Sequence, residues 1–467
     1  MTMRRRDALK TMGALAGAAG MSRLLAACGG GDGGPQGITT WVFLMMENRT
    51  YDHMLGARTL LEGKPGDGLV AGMSNPDADG VPVAIWAATA AEPDQCVIDP
   101  PHGWDPSRVQ LDDGACDGFI IAHQARAPGD IAPMQYMNRE RLPVTWALAD
   151  AYTSCDRWFA SLLGPTLPNR MYWHAATAMG ATNNDAVLAL DLDTIPTLYH
   201  RLNDAGVDWA YYYGDAPVLG IALAPEVNGG RVKRFYYDFL DDAAAGRLPP
   251  VVYIDPTFGS GGNDDHPPHH PALGQQLISA VYTALATSPQ WKNCNLVITY
   301  DEHGGFFDHV APGTAPDERA ADGFGQLGFR VPALVIGPYA RQGYVSSVPY
   351  EHTSPIKHLA NLYGFEPLTL RDAAANDLVD CLDLDRLERG EPADPIDLPV
   401  VDLDPLTLSA ACNGNTFGPP PHGLPDWAQG VADAVRQRSP ELLHDGRDQA
   451  PGIAAYLARH NRGRISR

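Results

Sequence analysis

Five runs of the chain are almost continuously apolar and rich in β-branched or aromatic residues. They are TWVFLMM (40–46), WAYYYG (209–214), VVYI (251–254), NLVITY (295–300) and ALVIG (333–337). Unbroken apolar runs of this length belong to strands covered on both faces, whereas half-exposed strands alternate. Between the runs lie segments with helical spacing. TLYHRLNDAG (197–206) stops at Gly206, and PALGQQLISAVYTALATSP (271–289) closes on Pro289. TSPIKHLANLYG (353–364) carries Thr353 as N-cap, Pro355 in its first turn and Gly364 as its stop. Strands alternating with helices predict a three-layer α/β/α sandwich around a mostly parallel sheet. Ligands of such sheets bind beyond the carboxyl ends of the strands, so the residues just after each run are where chemistry is expected.

From about residue 367 the pattern changes to the acidic, proline-rich DLDRLERGEPADPIDLPVVDLDPL, followed by helical patterns near 425–438 and 451–461. This predicts one catalytic domain over 38–365 with a C-terminal extension, 366–467, packed on it. The 467-residue length is ample for such a core, and Gly 48 with Pro 40 implies long connections over the sheet.

The first residues lie outside that domain. Arg5-Arg6 followed by DALK resembles a twin-arginine export signal, and Leu25-Ala26-Ala27-Cys28 resembles a lipobox. These predict removal of residues 1–27, lipid attachment at Cys28, a flexible tether over 28–37, and a periplasmic or cell-surface lipoprotein. A disordered basic leader with a chance cysteine is the alternative. Loss of the leader moves the formal charge from -22 to about -26. So acidic a body repels nucleic acid, whose binding needs clustered Lys and Arg. Six further cysteines, Cys96, Cys116, Cys155, Cys294, Cys381 and Cys412, allow up to three disulfides, with Cys96–Cys116 the nearest pair in sequence. Buried free thiols are the alternative.

Several polar clusters fall at or near strand ends. MMENRTYDHMLG (45–56) offers Glu47 and Asn48, although ENxT is also a good helix N-cap. GPTLPNR (164–170) holds Thr166 in a stiff turn that reads equally as a rigid helix start. GGNDDHPPHH (261–270) gathers Asp264, Asp265, His266, His269 and His270. PPHGWD (100–105) contributes His102, and EHTSPIK (351–357) contributes His352. DEHGGFFDHV (301–310) brings Asp301, Glu302 and His303 directly after NLVITY. Taken singly, each admits a bland reading as a cap, a turn or a solvated loop. Together they place carboxylate, amide, hydroxyl and imidazole donors around one sheet edge, a set suited to a hard or borderline divalent cation. A threonine hydroxyl attacks only when a base or metal activates it. The reaction class that uses all these parts is phosphoester hydrolysis through a phospho-threonine.

With those motifs in order, the chain resembles the bacterial phosphoesterase family of phosphatidylcholine-type phospholipases C and related acid phosphatases. ENRTYDHMLG, GPTLPNR, DDHPPHHPALG and DEHGGFFDHV carry the resemblance, and GFGQLGFRVPALVIGPYARQGYV (323–345) and EHTSPIK extend it over about 38–365. The resemblance implies an alkaline-phosphatase-like fold and one divalent or transition metal ion. It implies Glu47, Asn48, Thr166, Asp301 and Glu302 as metal ligands, with Thr166 also the nucleophile. His102 and His266 match phosphate-binding histidines, with Asp265 orienting His266. His303, His352 and His269 are further substrate-binding or metal-site candidates. Asp308 and His309 read as support around the metal pair.

The expected substrate is a phosphate ester, foremost a phosphatidylcholine-like lipid. Past EHTSPIK the sequence shows no extra β-rich modules like those of longer phospholipases. Its Met-, Trp- and Tyr-bearing stretches at 133–137 and 209–213, the only candidates for an apolar rim, are of a kind more often found in the core. An acid phosphatase acting on soluble monoesters is therefore the alternative within the class. A non-catalytic lipoprotein that captures phosphate compounds is the alternative of another class.

Overall fold

The computed structural model describes residues 37–88, 97–218, 228–259, 262–401 and 426–460. The leader, Cys28, Cys96 and Cys412 lie outside the described residues. Gly37, placed by its sequence in the tether, is buried and its carbonyl accepts from Asn293 Nδ2 at 2.5 Å. No helix among the described residues is long and apolar enough to cross a membrane.

Eight strands form the central sheet: β1 (Thr40–Met46), β2 (Thr153–Cys155), β3 (Trp209–Tyr213), β4 (Val232–Arg234), β5 (Val251–Ile254), β6 (Cys294–Tyr300), β7 (Ala333–Ile336) and β8 (Tyr344–Ser346). Their spatial order is β8-β2-β7-β6-β1-β5-β3-β4. β7 runs antiparallel to both neighbours and every other pairing is parallel, so the sheet is mostly parallel with one reversed strand. The five apolar runs are all strands and all buried, as runs without alternation require. β2, β4 and β8 have only three residues each, too short to show a period.

Of the helices, α1 (Trp104–Leu111), α2 (Thr166–Ala175), α3 (Leu198–Asp204), α4 (Pro271–Thr287), α5 (Ser354–Tyr363), α6 (Asp426–Arg438) and α7 (Gln449–His460) matter below. α4 packs with α7 and with Pro143–Ala151, and α2 packs with α3 and α5, giving helices on both faces of an α/β sandwich. The expected stops hold: Gly206 and Gly364 adopt φ of +68° and +75°, left-handed backbone that glycine takes without steric cost. Beyond α5, the chain follows the sheet's flank. Asp383 N–H donates to the Tyr339 carbonyl and Ala393 N–H to that of Pro338, both at 2.8 Å.

The Met-, Trp- and Tyr-bearing stretches at 133–137 and 209–213 are core and not a rim. Trp209–Tyr213 is the buried strand β3, and Met134 and Met137 are core residues.

Candidate active site

β1 and β6 pair in register along their whole length, Thr40 beside Cys294 through Met46 beside Tyr300. Continuing one step sets Glu47 beside Asp301, and Asp301 N–H donates to the Met46 carbonyl at 3.1 Å. β5, on the other side of β1, ends one residue before Asp255. Three carboxylates thus converge at the carboxyl ends of adjacent parallel strands, all within the protein interior. Buried charge on this scale requires counter-charge. Arg170, fully buried, supplies part of it from the second turn of α2. Its Nη2 and Nε donate to Glu47 Oε1 at 2.5 and 2.9 Å, Nε also reaches Asp301 Oδ2 at 3.3 Å, and Nη1 meets Asp255 Oδ1 at 3.0 Å. Asp255 also accepts from the Tyr211 hydroxyl.

The backbone around the acids is shaped to bring donors inward. Asn48 sits at φ +57°, a conformation that asparagine tolerates better than most residues, and its N–H donates to Asp301 Oδ1 at 3.1 Å. Glu302 N–H donates to the same oxygen at 2.7 Å. Gly304, at φ +60°, lies so close to the Asn48 carbonyl that a Cβ would collide with it. Thr166 opens α2 one turn before Arg170, on the same helix face, with Pro165 as its cap.

Four of the five atoms expected to bind a metal share one property. Glu47 Oε2, Asn48 Oδ1, Thr166 Oγ1 and Glu302 Oε1 are buried and have no hydrogen-bond partner. Burying an unpaired polar oxygen costs roughly 1–3 kcal/mol, so these oxygens are open to a ligand, and Thr166 is tied to the acids through Arg170 one turn further along α2. The local charge agrees. Burial and neighbouring Asp301 push the Glu47 carboxyl well above its usual range despite Arg170. Burial raises Glu302 to about 8, with His102 opposing and Asp301 adding to the rise. The set is short of positive charge, and its oxygen-rich composition fits a hard or borderline divalent cation.

Two histidines face these acids. Burial disfavours the His102 imidazolium, yet Glu302 and Asp99 outweigh that and hold it at about 9. Its Nδ1–H donates to the Pro100 carbonyl at 2.7 Å, which turns Nε2 toward Asn48 Nδ2 at 3.4 Å and Glu302 Oε1 at 3.6 Å. His266 is 5.8 Å from His102 between ring centroids, and its Nδ1–H donates to the Pro267 carbonyl at 2.6 Å. In both rings a backbone carbonyl takes Nδ1–H and so sets which way Nε2 points. Asp99, His102 and His266 bring one donor atom each within 4.8 Å of one another.

Other expected participants are engaged elsewhere. Asp265 does not orient His266: its Oδ2 accepts from the Tyr300 hydroxyl at 2.6 Å, and its backbone carbonyl accepts from Arg49. Both ring nitrogens of His303 have protein neighbours, Nε2 bonding Gln110 at 2.7 Å and Nδ1 lying 3.2 Å from Glu302 Oε2. His352 lies behind the strand-end acids. Its Nε2–H donates to the Asp301 carbonyl at 2.6 Å and its Nδ1 accepts from Trp158, so it positions Asp301 from behind. His269 pairs with Asp264 Oδ1 at 2.7 Å, while the Asp264 carbonyl accepts from Glu47 N–H and ties the histidine loop to β1. Asp308 and His309 belong to a separate buried ion cluster. Arg330 bridges Asp52 and Asp308 at 3.1 and 2.9 Å, and His309 pairs with Asp52 at 2.6 Å.

Arg170 and Asp255 were missed as functional residues. Asp255 carried the same signal as Asp301, an acid directly after an apolar run, while the role of Arg170 depends on where α2 lies.

Buried acid and amide groups at parallel strand ends, with His102 and His266 beside them, suit phosphoric ester hydrolysis, and the comparisons give the chain that class. Residues 38–366 match the model of the Phosphoesterase family, and the chain belongs to that family. It is 31% identical over 433 residues to "Non-specific phospholipase C6" of Arabidopsis thaliana, covering 81% of this chain and 82% of that one. "Phospholipase C A" of Mycobacterium tuberculosis (strain ATCC 25618 / H37Rv) is 31% identical over 380 residues, 69% of this chain and 72% of the other. Among solved structures, a protein in the alkaline phosphatase superfamily from Vibrio parahaemolyticus aligns with TM-score 0.37 and 12% identity over 77% of each chain. A phosphonate monoester hydrolase of Agrobacterium radiobacter aligns with TM-score 0.36 and 11% identity over 90% of this chain and 96% of that one.

Proposed function

We propose that the chain is an exported, metal-dependent phospholipase C that cleaves phosphatidylcholine-like lipids through a phospho-threonine on Thr166. The supporting observation is the quartet of buried, unpartnered oxygens on Glu47, Asn48, Thr166 and Glu302. These residues and Asp301 would hold one divalent or transition metal ion, which when bound lowers the pKa of a coordinated hydroxyl and offsets phosphate charge. Thr166 Oγ attacks phosphorus, the P–O bond to glycerol breaks, and the diacylglycerol oxygen takes up a proton. Water then attacks the phospho-threonine, breaking its P–O bond and releasing phosphocholine with Thr166 restored. His102 Nε2 and His266 Nε2 are the donors available to the non-bridging oxygens and the leaving oxygen. Export and attachment through Cys28 rest on the leader sequence.

The name of the Arabidopsis relative includes the word non-specific, and head-group choice is left to the substrate test. A second reading, an acid phosphatase on soluble monoesters, is favoured by one finding: the stretches at 133–137 and 209–213, the only sequence candidates for a lipid-facing rim, are core. The decisive measurement is diacylglycerol release from phosphatidylcholine vesicles beside p-nitrophenyl phosphate hydrolysis, using metal-analysed full-length protein. Thr166→Ala should lower turnover by at least about 10³-fold, while Thr166→Ser retains a hydroxyl and most of the activity. Parental rates in Thr166→Ala would overturn the covalent mechanism, and monoester turnover without lipid cleavage would select the second reading.

A further inference from the structure

Cys155 and Cys381 are 226 positions apart in sequence, yet their sulfurs face each other at 3.9 Å. Both are fully buried. Cys155 ends β2, in register with Ser346 of β8. Cys381 arrives on the segment beyond α5, where its backbone is fixed from two sides. Its carbonyl accepts from Thr153 Oγ1 and from Arg341 N–H, each at 3.0 Å, and the preceding Asp380 carboxylate accepts from Ser346 Oγ at 2.6 Å. The thiol contact is therefore set by pinned backbones. The other two described cysteines have different surroundings: the Cys116 and Cys294 sulfurs lie against the Gly114 and Asn295 carbonyls.

We propose that Cys155 and Cys381 form an intramolecular disulfide when the chain meets a disulfide donor, bracing the segment beyond residue 366 against the catalytic sheet. The sulfurs need to close by about 2 Å to reach bonding distance. One cysteine thiolate attacks a donor sulfur and releases the first donor thiol. The second cysteine thiolate then displaces the other donor thiol, forming the S–S bond. Two protein S–H bonds are lost, the donor disulfide takes up two electrons, and it leaves as two thiols. Because both sulfurs are buried, exchange requires the Cys381 segment to lift from β2. The brace would act close to the site. Cys381 Sγ is 3.5 Å from the Tyr350 hydroxyl, and two residues on His352 holds the Asp301 carbonyl.

The test uses full-length protein incubated with oxidised glutathione in mild urea, returned to buffer, then denatured, alkylated and peptide-mapped. The expected result is a cross-linked peptide pair containing Cys155 and Cys381. Its formation should raise Tm by on the order of 5 °C, since the link closes a loop of about two hundred residues. Reductant should abolish that rise, and the Cys155→Ala/Cys381→Ala double variant should show no reductant-dependent shift. Recovery of both residues as alkylated thiols, or linked to other cysteines, would overturn the pairing. A correct cross-link that leaves Tm unchanged would overturn the bracing. Should the double variant fail to fold, the map of the parent protein still decides.

Discussion

Replacing Arg170 with methionine isolates the contribution of the one fully buried cation that touches all three strand-end carboxylates. The side chain keeps an unbranched apolar stem and loses its charged end, leaving Glu47, Asp255 and Asp301 without the guanidinium that now lies 2.5–3.3 Å from them. Removing one partner of a buried ion pair typically costs about 3–5 kcal/mol, because the remaining charge stays desolvated. The three carboxylates share one cation, so the loss is taken once at this scale and not three times. At roughly 2.1 cal/mol/K per residue, unfolding a chain of this length carries an entropy near 1 kcal/mol/K. The expected fall in Tm is therefore about 3–5 °C, read by circular dichroism on chelator-treated protein. The direction with pH also follows. Without Arg170 the acids hold protons in the folded state that they release on unfolding above their ordinary range. The native state then binds more protons, and stability falls as pH rises. The gap between variant and parent should be wider at pH 8 than at pH 5. A gap below about 1 °C at both values, or one wider at pH 5, would refute the assignment of Arg170 as counter-charge.

Gly304→Ala should reduce both stability and metal content, because φ of +60° strains an alanine and its Cβ would strike the Asn48 carbonyl; about 1–3 kcal/mol is expected in denaturant melts. His352→Ala removes the donor to the Asp301 carbonyl, so metal affinity should fall 10- to 100-fold by competition with a calibrated chelator, with little change in fold by circular dichroism. Burial raises Asp215 to about 6 from an ordinary value of 3.8, against three backbone N–H donors. The raised group stabilises the fold below about pH 4 and loses that contribution as pH rises through about 6, a swing on the order of 3 kcal/mol. Asp215→Asn should flatten the fall in Tm between pH 4 and 6; an unaltered slope would assign it to other groups.

What could be read from the sequence follows from which forces act locally. TWVFLMM, VVYI and NLVITY declare buried strands by composition, and parallel pairing of covered strands places whatever comes next at one end. Glu47 and Asp301 were legible because a single register step carries them there. β2, β4 and β8 were not, since three residues show no period, and β7 reversed its direction without any local sign. Side-chain rotation was equally hidden. His303 and His352 stand beside the strand-end acids in sequence or space, yet Gln110 and the Asp301 carbonyl capture their nitrogens. His102 and His266 differ because the carbonyls of Pro100 and Pro267 occupy Nδ1, so that Nε2 is the nitrogen each ring presents. Both carbonyls belong to prolines in PP pairs, His102 following its pair and His266 preceding its own. Such stiff segments limit how the neighbouring ring can be presented. The useful sequence signal was therefore not histidine near an acid, which His303 also satisfies. Nor was it histidine beside Pro-Pro alone, for His269 follows Pro267-Pro268 and yet Asp264 Oδ1 captures its Nδ1 at 2.7 Å. What separates His102 and His266 is the backbone carbonyl that each Nδ1 holds.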